Sequence, residues 1–287
     1  MADGDTAQEI ERKAAQEPPH PLLPRVTPSM NEAMAVLIRR GFVEVSRAKL
    51  DLPFDPETHP AALQDRFAES LRHYAFRLFL RGAIQRPDGF LPDEASRFLS
   101  PEHSREMAVR LVELGLADQD GERYRLVHPP NSFGGTLEWY VGWELAQRLR
   151  FEVAVGVKFH APGVGGDLDV VAAAEGRLVY VELKSSPPKH LSAPEVSAFD
   201  DRVRALRPDV TLFVVDTALR LGDRVIPLLD DVRRKRASAP VEPARRIERE
   251  LWAITPHVFV VNARPDLFGN VARAIAEGML ALGPPPP

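Results

Sequence analysis

Two apolar runs joined by a tight turn constrain this chain more than any other feature of its sequence. LDVVAAA, residues 168–174, and RLVYVELK, residues 177–184, flank the dipeptide Glu175-Gly176. Residues that favour strands recur in both runs, and a short turn that contains glycine between such runs is typical of a β-hairpin. We therefore predict two adjacent antiparallel strands here.

Three charged side chains lie within these otherwise apolar runs. Asp169 is in the first run, and Glu182 and Lys184 are in the second. Because side chains alternate along a strand, Glu182 and Lys184 share one face, while Leu183 lies on the other. The hairpin therefore allows Asp169, Glu182 and Lys184 to approach one another.

This combination of residues suits the hydrolysis of a phosphodiester. Carboxylates and backbone carbonyls are ligands that Mg²⁺ and Mn²⁺ prefer, so Asp169, Glu182 and the carbonyl of Leu183 are candidate metal ligands. Lys184 can orient or help deprotonate an attacking water, or stabilise charge that develops on the phosphate. An alternative interpretation is a structural salt bridge. We favour catalysis because a buried ion pair contributes little net stability to an apolar strand pair.

Composition and charge exclude several classes of protein. The 287 residues are enough for two domains, and the absence of cysteine excludes disulfides, zinc–thiolate sites and cysteine nucleophiles. The net charge of −4 is not that of a strongly basic nucleic-acid binder, so DNA binding would need local patches or bridging metal ions. There is no run of about 18 apolar residues and no apolar leader, which fits a cytoplasmic protein and predicts no membrane span.

The order of predicted elements indicates an α/β protein with two domains. Residues 1–28 are rich in proline and charge and are predicted to be disordered, and residues 283–287 form a proline tail. Residues 29–130, with helices that include 63–84 and 101–114 before a β-turn-β, resemble a winged helix with an N-terminal extension. Residues 131–282 alternate between helices and strands, which predicts a central mixed sheet, with a loop insertion at 236–243.

Basic residues recur at helical spacing on one stripe of the first long helix. They are Arg66, His73, Arg77 and Arg81. The stripe is either a solvated or interdomain packing face or a nucleic-acid contact. We retain Arg77 and Arg81 as candidates for nucleic-acid contact.

The two motifs of the hairpin resemble those of the PD-(D/E)xK nuclease superfamily. The first motif is Gly166-Asp167-Leu168-Asp169-Val170-Val171, and the second is Glu182-Leu183-Lys184. The resemblance implies a restriction-endonuclease-like fold and an endonuclease that hydrolyses DNA with Mg²⁺ or Mn²⁺. It also implies that Asp169, which directly precedes the valine pair, binds the metal, with Asp167 beside it.

A helical glutamate strengthens the resemblance. GGTLEWYV, residues 134–141, is similar to the GxWLExYV pattern of nuclease domains in CRISPR-associated CARF effectors of the Card1/Can2 type, with Thr136 in place of tryptophan. The resemblance implies that Glu138 lies near the metal or binds it, directly or through water; Glu144, on another helical face, is the weaker candidate. No Rossmann-like βαβ run precedes residue 60, so a CARF domain and regulation by cyclic oligoadenylate are not implied.

The segment after Lys184 supplies further candidates for contact with nucleic acid. They are Ser185, Ser186, Lys189 and His190, at the predicted mouth of the site. The expected partner is DNA rather than RNA; the superfamily also implies a homodimer, and the acidic balance leaves room for an activating protein or ligand. The alternatives are a catalytically inactive nucleic-acid-binding or adaptor protein on a nuclease-derived fold, and a winged-helix transcription regulator.

Overall fold

The computed structural model describes Thr27, residues 30–161 and residues 164–283. Apart from Thr27 and Gly283, the predicted N-terminal disordered segment at 1–28 and the proline tail at 283–287 lie outside the described residues. Within the described part, the predicted α/β class with a large mixed sheet is confirmed. None of the helices described there is long and apolar enough to cross a membrane.

Helices and strands alternate along most of the described chain. The α-helices are α1 Glu32–Arg39, α2 Ala61–Leu71, α3 Tyr74–Ile84, α4 Pro92–Ala95, α5 Pro101–Glu113, α6 Gly134–Leu149, α7 Ala193–Leu206, α8 Val225–Arg236 and α9 Leu267–Ala281. The strands are β1 Val43–Arg47, β2 Ala117–Asp120, β3 Arg123–Leu126, β4 Glu152–His160, β5 Leu168–Ala174, β6 Arg177–Lys184, β7 Val210–Val215, β8 Arg245–Glu248, β9 Leu251–Thr255 and β10 Val258–Asn262.

Eight strands form the large sheet, in the order β1-β4-β5-β6-β7-β10-β9-β8. The pairs β6–β7 and β7–β10 are parallel, and the other neighbours are antiparallel. Parallel neighbours end at the same edge of a sheet, so the residues that follow β6, β7 and β10 meet at one edge. The candidate catalytic motif ends at this edge.

Alternate side chains of the sheet enter two separate cores. Val179, Val181 and Leu183 pack with α2, α3, α5, α6 and α9 on one face. Tyr180 packs on the other face, with α1, α7 and α8. The predicted alternation of β6 is therefore confirmed. Both faces are covered by helices, which explains why the inner strands are apolar throughout.

The predicted hairpin at Glu175-Gly176 is confirmed. β5 and β6 pair antiparallel, with Val171 opposite Tyr180. Both turn residues have positive φ, +53° at Glu175 and +74° at Gly176. Two successive positive φ values are the signature of the type I′ turn, whose twist matches that of the strands it joins.

The single helix predicted for residues 63–84 is wrong, because the structure contains two helices there. α2 ends at Leu71 and α3 begins at Tyr74. His73 between them is extended, with φ −80° and ψ 119°. One extended residue redirects the chain without disturbing an apolar pattern, so periodicity did not reveal the break.

Helix α5 and the β2–β3 hairpin are present, while a winged-helix domain stays a prediction.

The N-terminal extension and a C-terminal segment complete the large sheet. We grouped residues 29–60 with the helical unit, whereas β1 pairs with β4 and forms one edge of the sheet. The strands Arg245–Glu248 and Leu251–Thr255 were not predicted. RRIERE, residues 245–250, has the charge of a loop, and Ile247 is the one apolar residue of its edge strand, which leaves no apolar alternation to detect.

Candidate active site

Asp169 and Glu182 face each other on neighbouring strands. Val170 lies opposite Val181, and the same register continued by one residue places Asp169 opposite Glu182. Asp169 Oδ2 accepts a hydrogen bond of 2.6 Å from the backbone N–H of Leu183. The hairpin therefore brings together the first and second motifs, as the side-chain alternation predicted.

Glu182 is enclosed by three hydrogen-bond donors and is only 2% exposed. Its Oε1 lies 2.9 Å from Lys184 Nζ and 2.8 Å from an Arg202 guanidinium nitrogen. The hydroxyl of Tyr180 donates to Oε2. The structural salt bridge that we weighed is thus present between Glu182 and Lys184, and Arg202 extends it into a network.

Glu138 lies on α6 and is electrostatically coupled to the hairpin. Burial raises the pKa of its carboxyl to about 7, and the negative charges of Glu182 and Asp167 act in the same direction, while Lys184 opposes them. Charges influence one another this strongly only at short range in a partly buried site. Glu138 is therefore coupled electrostatically to both motifs, and we refer to Glu138, Asp169, Glu182 and Lys184 together as the cluster.

Asp169 carries the same electrostatic signature. Burial raises the pKa of its carboxyl well above the usual range, and the charges of Glu182 and Glu138 raise it further. The N–H of Leu183 and the charge of Lys184 act in the opposite direction without cancelling the shift. Burial is the main cause of both shifts and repulsion between the carboxylates adds to it, so a bound cation would stabilise the charged form of Asp169 and Glu138.

Close packing of α6 on the sheet fixes the position of Glu138. A Cβ atom at Gly142 would lie 2.6 Å from a methyl carbon of Val155 on β4. At Gly135 a Cβ atom would lie 2.9 Å from the carbonyl oxygen of Asp51. These contacts require glycine, so the helix lies closer to the sheet than larger residues would permit.

A complete set of metal ligands is not preassembled in the described part of the chain. Among those residues, no three or more acidic or histidine side chains are grouped in a way that could hold a metal ion. The reason lies in Glu182, whose oxygens already accept from Arg202, Lys184 and Tyr180. Among the described residues, Asp169 has no ion-pair partner, and its Oδ2 accepts the Leu183 N–H. The carboxylate and carbonyl oxygens are therefore the right kind of ligand for a hard divalent cation, but they are not arranged around one position in this structure.

The segment after Lys184 is largely exposed. Ser186, Lys189 and His190 are exposed, Ser185 is partly buried, and Pro188–His190 form a short 3₁₀ helix. Within the described residues none of these four side chains has a hydrogen-bond or ion-pair partner. Their contact with nucleic acid stays a prediction, and their accessibility is compatible with it.

The structure corrects the role expected for Arg77. Its side chain is fully buried and binds the carboxylate of Asp216, with an Arg77 Nη2–Asp216 Oδ1 distance of 3.0 Å. It also donates to the carbonyl of Arg72 at 3.0 Å. A buried guanidinium with these partners cannot contact nucleic acid. Arg81 is mostly buried and binds the same Asp216, so these two arginines fasten α3 to the end of β7, whereas Arg66 pairs with Glu113 at the surface.

Two members of the Glu182 network were missed in the sequence. Tyr180 precedes Glu182 by two residues and therefore shares its face. Arg202 was detectable in a different way, because it occupies the buried stripe of α7 that also contains Val196, Phe199 and Leu206. A charged residue in such a stripe indicates a buried partner.

Glu144, the weaker candidate on α6, is buried and pairs with Arg72 and Arg148 outside this network.

Comparisons with known proteins find a similar fold among solved structures but no matching protein family. No protein-family model matches the chain. No curated protein matches it either. The crystal structure of protein VC1899 from Vibrio cholerae matches with a TM-score of 0.51 and 12% identity, over 87% of this chain and 62% of that one.

A second solved structure is more distant in fold. It is Can2 from Sulfobacillus thermosulfidooxidans in complex with cyclic tetra-adenylate, with a TM-score of 0.47 and 14% identity, over 88% of this chain and 62% of that one. The present chain thus spans about 62% of the length of either protein. At these identities the likeness to VC1899 concerns the fold alone, and the likeness to Can2 adds nothing to it.

Proposed function

We propose that this protein is a metal-dependent nuclease that hydrolyses phosphodiester bonds, in DNA rather than RNA. One observation carries the proposal: Asp169 faces Glu182 and Lys184 at the edge where β6 ends, and Glu138 is electrostatically coupled to them. Clusters in which burial and like charges raise pKa values in this way are typical of functional sites. The motifs that resemble the PD-(D/E)xK superfamily supply these residues.

The residues of the cluster take distinct roles in this proposal. Asp169 and Glu138 hold the cation, together with the carbonyl of Leu183 and with Glu182 once its oxygens are released from their present donors. Bound Mg²⁺ or Mn²⁺ would lower the pKa of a coordinated water, and the ion itself would place positive charge next to the phosphate. Lys184 leaves Glu182 to orient the attacking water or to stabilise the developing charge on the phosphate.

A catalytically inactive nucleic-acid-binding or adaptor protein is the second candidate. The observation that favours it is the Glu182 network, since a carboxylate bound by Arg202, Lys184 and Tyr180 is a poor metal ligand. In that case the cluster would only stabilise a nuclease-derived fold. The two candidates differ in what they predict for cleavage in the presence of a divalent cation. The third candidate is a winged-helix transcription regulator, and this interpretation predicts that the protein binds duplex DNA without a divalent cation.

Cleavage assays on several polymers test the proposal. Supercoiled plasmid, linear duplex, single-stranded DNA and RNA are each incubated with the protein in Mg²⁺, Mn²⁺ or EDTA, beside the variant Asp169→Asn. We expect cation-dependent cutting of DNA by the wild type alone. Asp118→Asn, an exposed aspartate of β2, is the matched control and should cut normally. Equal cutting by Asp169→Asn, or none under any condition, contradicts the proposal.

A further inference from the structure

Four arginines surround a cavity at the same edge of the sheet as the candidate active site, where β6, β7 and β10 end. They are Arg220, Arg246, Arg249 and Arg264, and we call this site the arginine pocket. The cavity measures about 410 Å³, and a second cavity of about 410 Å³ beside it shares Arg220 and Arg246. The acidic residues at the two cavities are Glu250 and Asp223, so positive charge is in excess.

Most of this positive charge is unpaired. Within the described residues, the side chains of Arg220, Arg249 and Arg264 have no hydrogen-bond or ion-pair partner and are exposed. Arg246 lies 3.6 Å from Oε1 of Glu250, whose side chain is only 11% exposed and whose other carboxylate oxygen accepts the N–H of Leu221. Guanidinium groups around one cavity repel one another, and a bound anion would offset that repulsion.

The topology aligns the pocket with the candidate active site. Lys184 on β6 lies beside Val215 on β7, and Val215 lies beside Asn262 on β10. These three residues form one row across parallel strands, and Arg264 follows Asn262 by two residues. With strands about 4.8 Å apart, Lys184 and Asn262 are separated by roughly 10 Å, or about three steps of a DNA strand at ~3.4 Å each.

We propose that the arginine pocket binds backbone phosphates of the DNA strand whose scissile phosphate lies at Lys184. The inference rests on the proposed nuclease function and identifies where that substrate is held. Guanidinium groups bind phosphate oxygens in pairs of parallel hydrogen bonds, which suits an arginine cluster better than a lysine cluster. The indole N–H of Trp252, at the second cavity, has no acceptor among the described residues, and a phosphate oxygen would supply one.

The pocket also accounts for how an acidic protein engages a polyanion. The whole chain carries a net charge of −4, and the cluster at Asp169 and Glu182 would repel a phosphate in the absence of a cation. A local basic site a few nucleotides from the reacting bond offsets this repulsion and sets the path of the strand. Contacts of this kind position the strand and carry no sequence preference.

Binding measurements on charge-matched variants test the inference without cleavage. A labelled DNA oligonucleotide of about 20 nucleotides is titrated in EDTA by fluorescence anisotropy, at several salt concentrations. For Arg220→Ala/Arg264→Ala we expect a dissociation constant raised on the order of tenfold, and a salt slope reduced by about 2, or about 1 for each lost phosphate contact. The control Lys49→Ala/Arg245→Ala removes two exposed cations outside the pocket and should bind as the wild type does.

Competition with small anions decides whether the ligand is a polymer. At equal phosphate concentration, we expect unlabelled oligonucleotide to displace the probe far better than inorganic phosphate or a mononucleotide. Equal displacement, or wild-type binding and salt slope in Arg220→Ala/Arg264→Ala, overturns the inference. Weaker binding by that variant supports the inference even if no cleavage is ever observed. Cleavage by that variant with unchanged binding supports the proposed nuclease function but contradicts phosphate binding at the arginine pocket.

Discussion

Arg202 on α7 donates to Glu182 on β6 at 2.8 Å, so the acid of the second motif is held by a cation from another element. The same guanidinium donates to the Tyr180 hydroxyl at 2.9 Å. Glu182 is therefore satisfied without a metal ion, while Asp169 and Glu138 are not. The site combines one carboxylate neutralised by the protein with two that a bound cation would neutralise.

Removal of Arg202 should destabilise the fold. Arg202→Met leaves Glu182 buried with Lys184 as its only cationic partner, and breaking a buried pair typically costs about 3–5 kcal/mol. Urea unfolding measures the change. Arg204→Met is the matched control, because Arg204 is 58% exposed and pairs with Asp200 at the surface, where the loss should be below about 1 kcal/mol. Equal losses would show that the Arg202–Glu182 pair is not structurally important.

The raised pKa of Glu138 predicts how stability depends on pH in the absence of metal. A carboxyl whose pKa rises from 4.5 to about 7 on folding binds a proton more tightly in the native state. Stability should therefore fall as pH rises between these two values, by on the order of 1–3 kcal/mol. Melting temperatures recorded in EDTA measure this fall. Glu138→Gln should flatten it, and an unchanged pH profile in Glu138→Gln would contradict the coupling.

A divalent cation should stabilise the folded protein through the same carboxylates. Since a ligand that binds only the native state raises stability by about 2.7 kcal/mol at 100 times its dissociation constant, Mn²⁺ should raise the melting temperature measurably. The shift should disappear in Asp169→Asn and persist in Asp118→Asn. If the wild type shows no shift in saturating Mn²⁺ or Mg²⁺, the cluster is not a metal site and the adaptor interpretation gains support.

Much of the site could be predicted because its signals are local. Alternation along one hairpin was enough to bring Asp169, Glu182 and Lys184 together, and the helical motif supplied Glu138. Arg202 lies on α7, the helix that connects the parallel strands β6 and β7, and no local pattern specifies its pairing with Glu182. Strand β8 was missed for a related reason, because its charged sequence becomes a strand only through pairing with β9. Strand β9, whose sequence LWAIT is apolar, carried a local strand signal and could have been predicted.

Arg77 illustrates how a correct pattern led to a wrong role. The spacing assumed one continuous helix, but the break at His73 places Arg66 on α2 and Arg77 on α3, where Arg77 faces Asp216. Arg77→Met should therefore lower stability by about 3–5 kcal/mol, as for other buried pairs with one partner removed. Chemical unfolding measures it, with the exposed Arg125→Met as control. A stable Arg77→Met that binds DNA more weakly would restore the nucleic-acid role.

The most direct test of the central claim is the single-turnover rate of DNA cleavage in Mn²⁺ by Lys184→Met. Lys184→Met leaves Glu182 bound by Arg202 and Tyr180, so the fold should be preserved, which circular dichroism and melting would verify. If Lys184 assists the attacking water or the charged phosphate, the rate should fall by about 10²–10³-fold, with DNA binding nearly unchanged. The control Lys49→Met should cut at the wild-type rate. Cleavage by Lys184→Met at that same rate would contradict the assignment of this cluster as the active site.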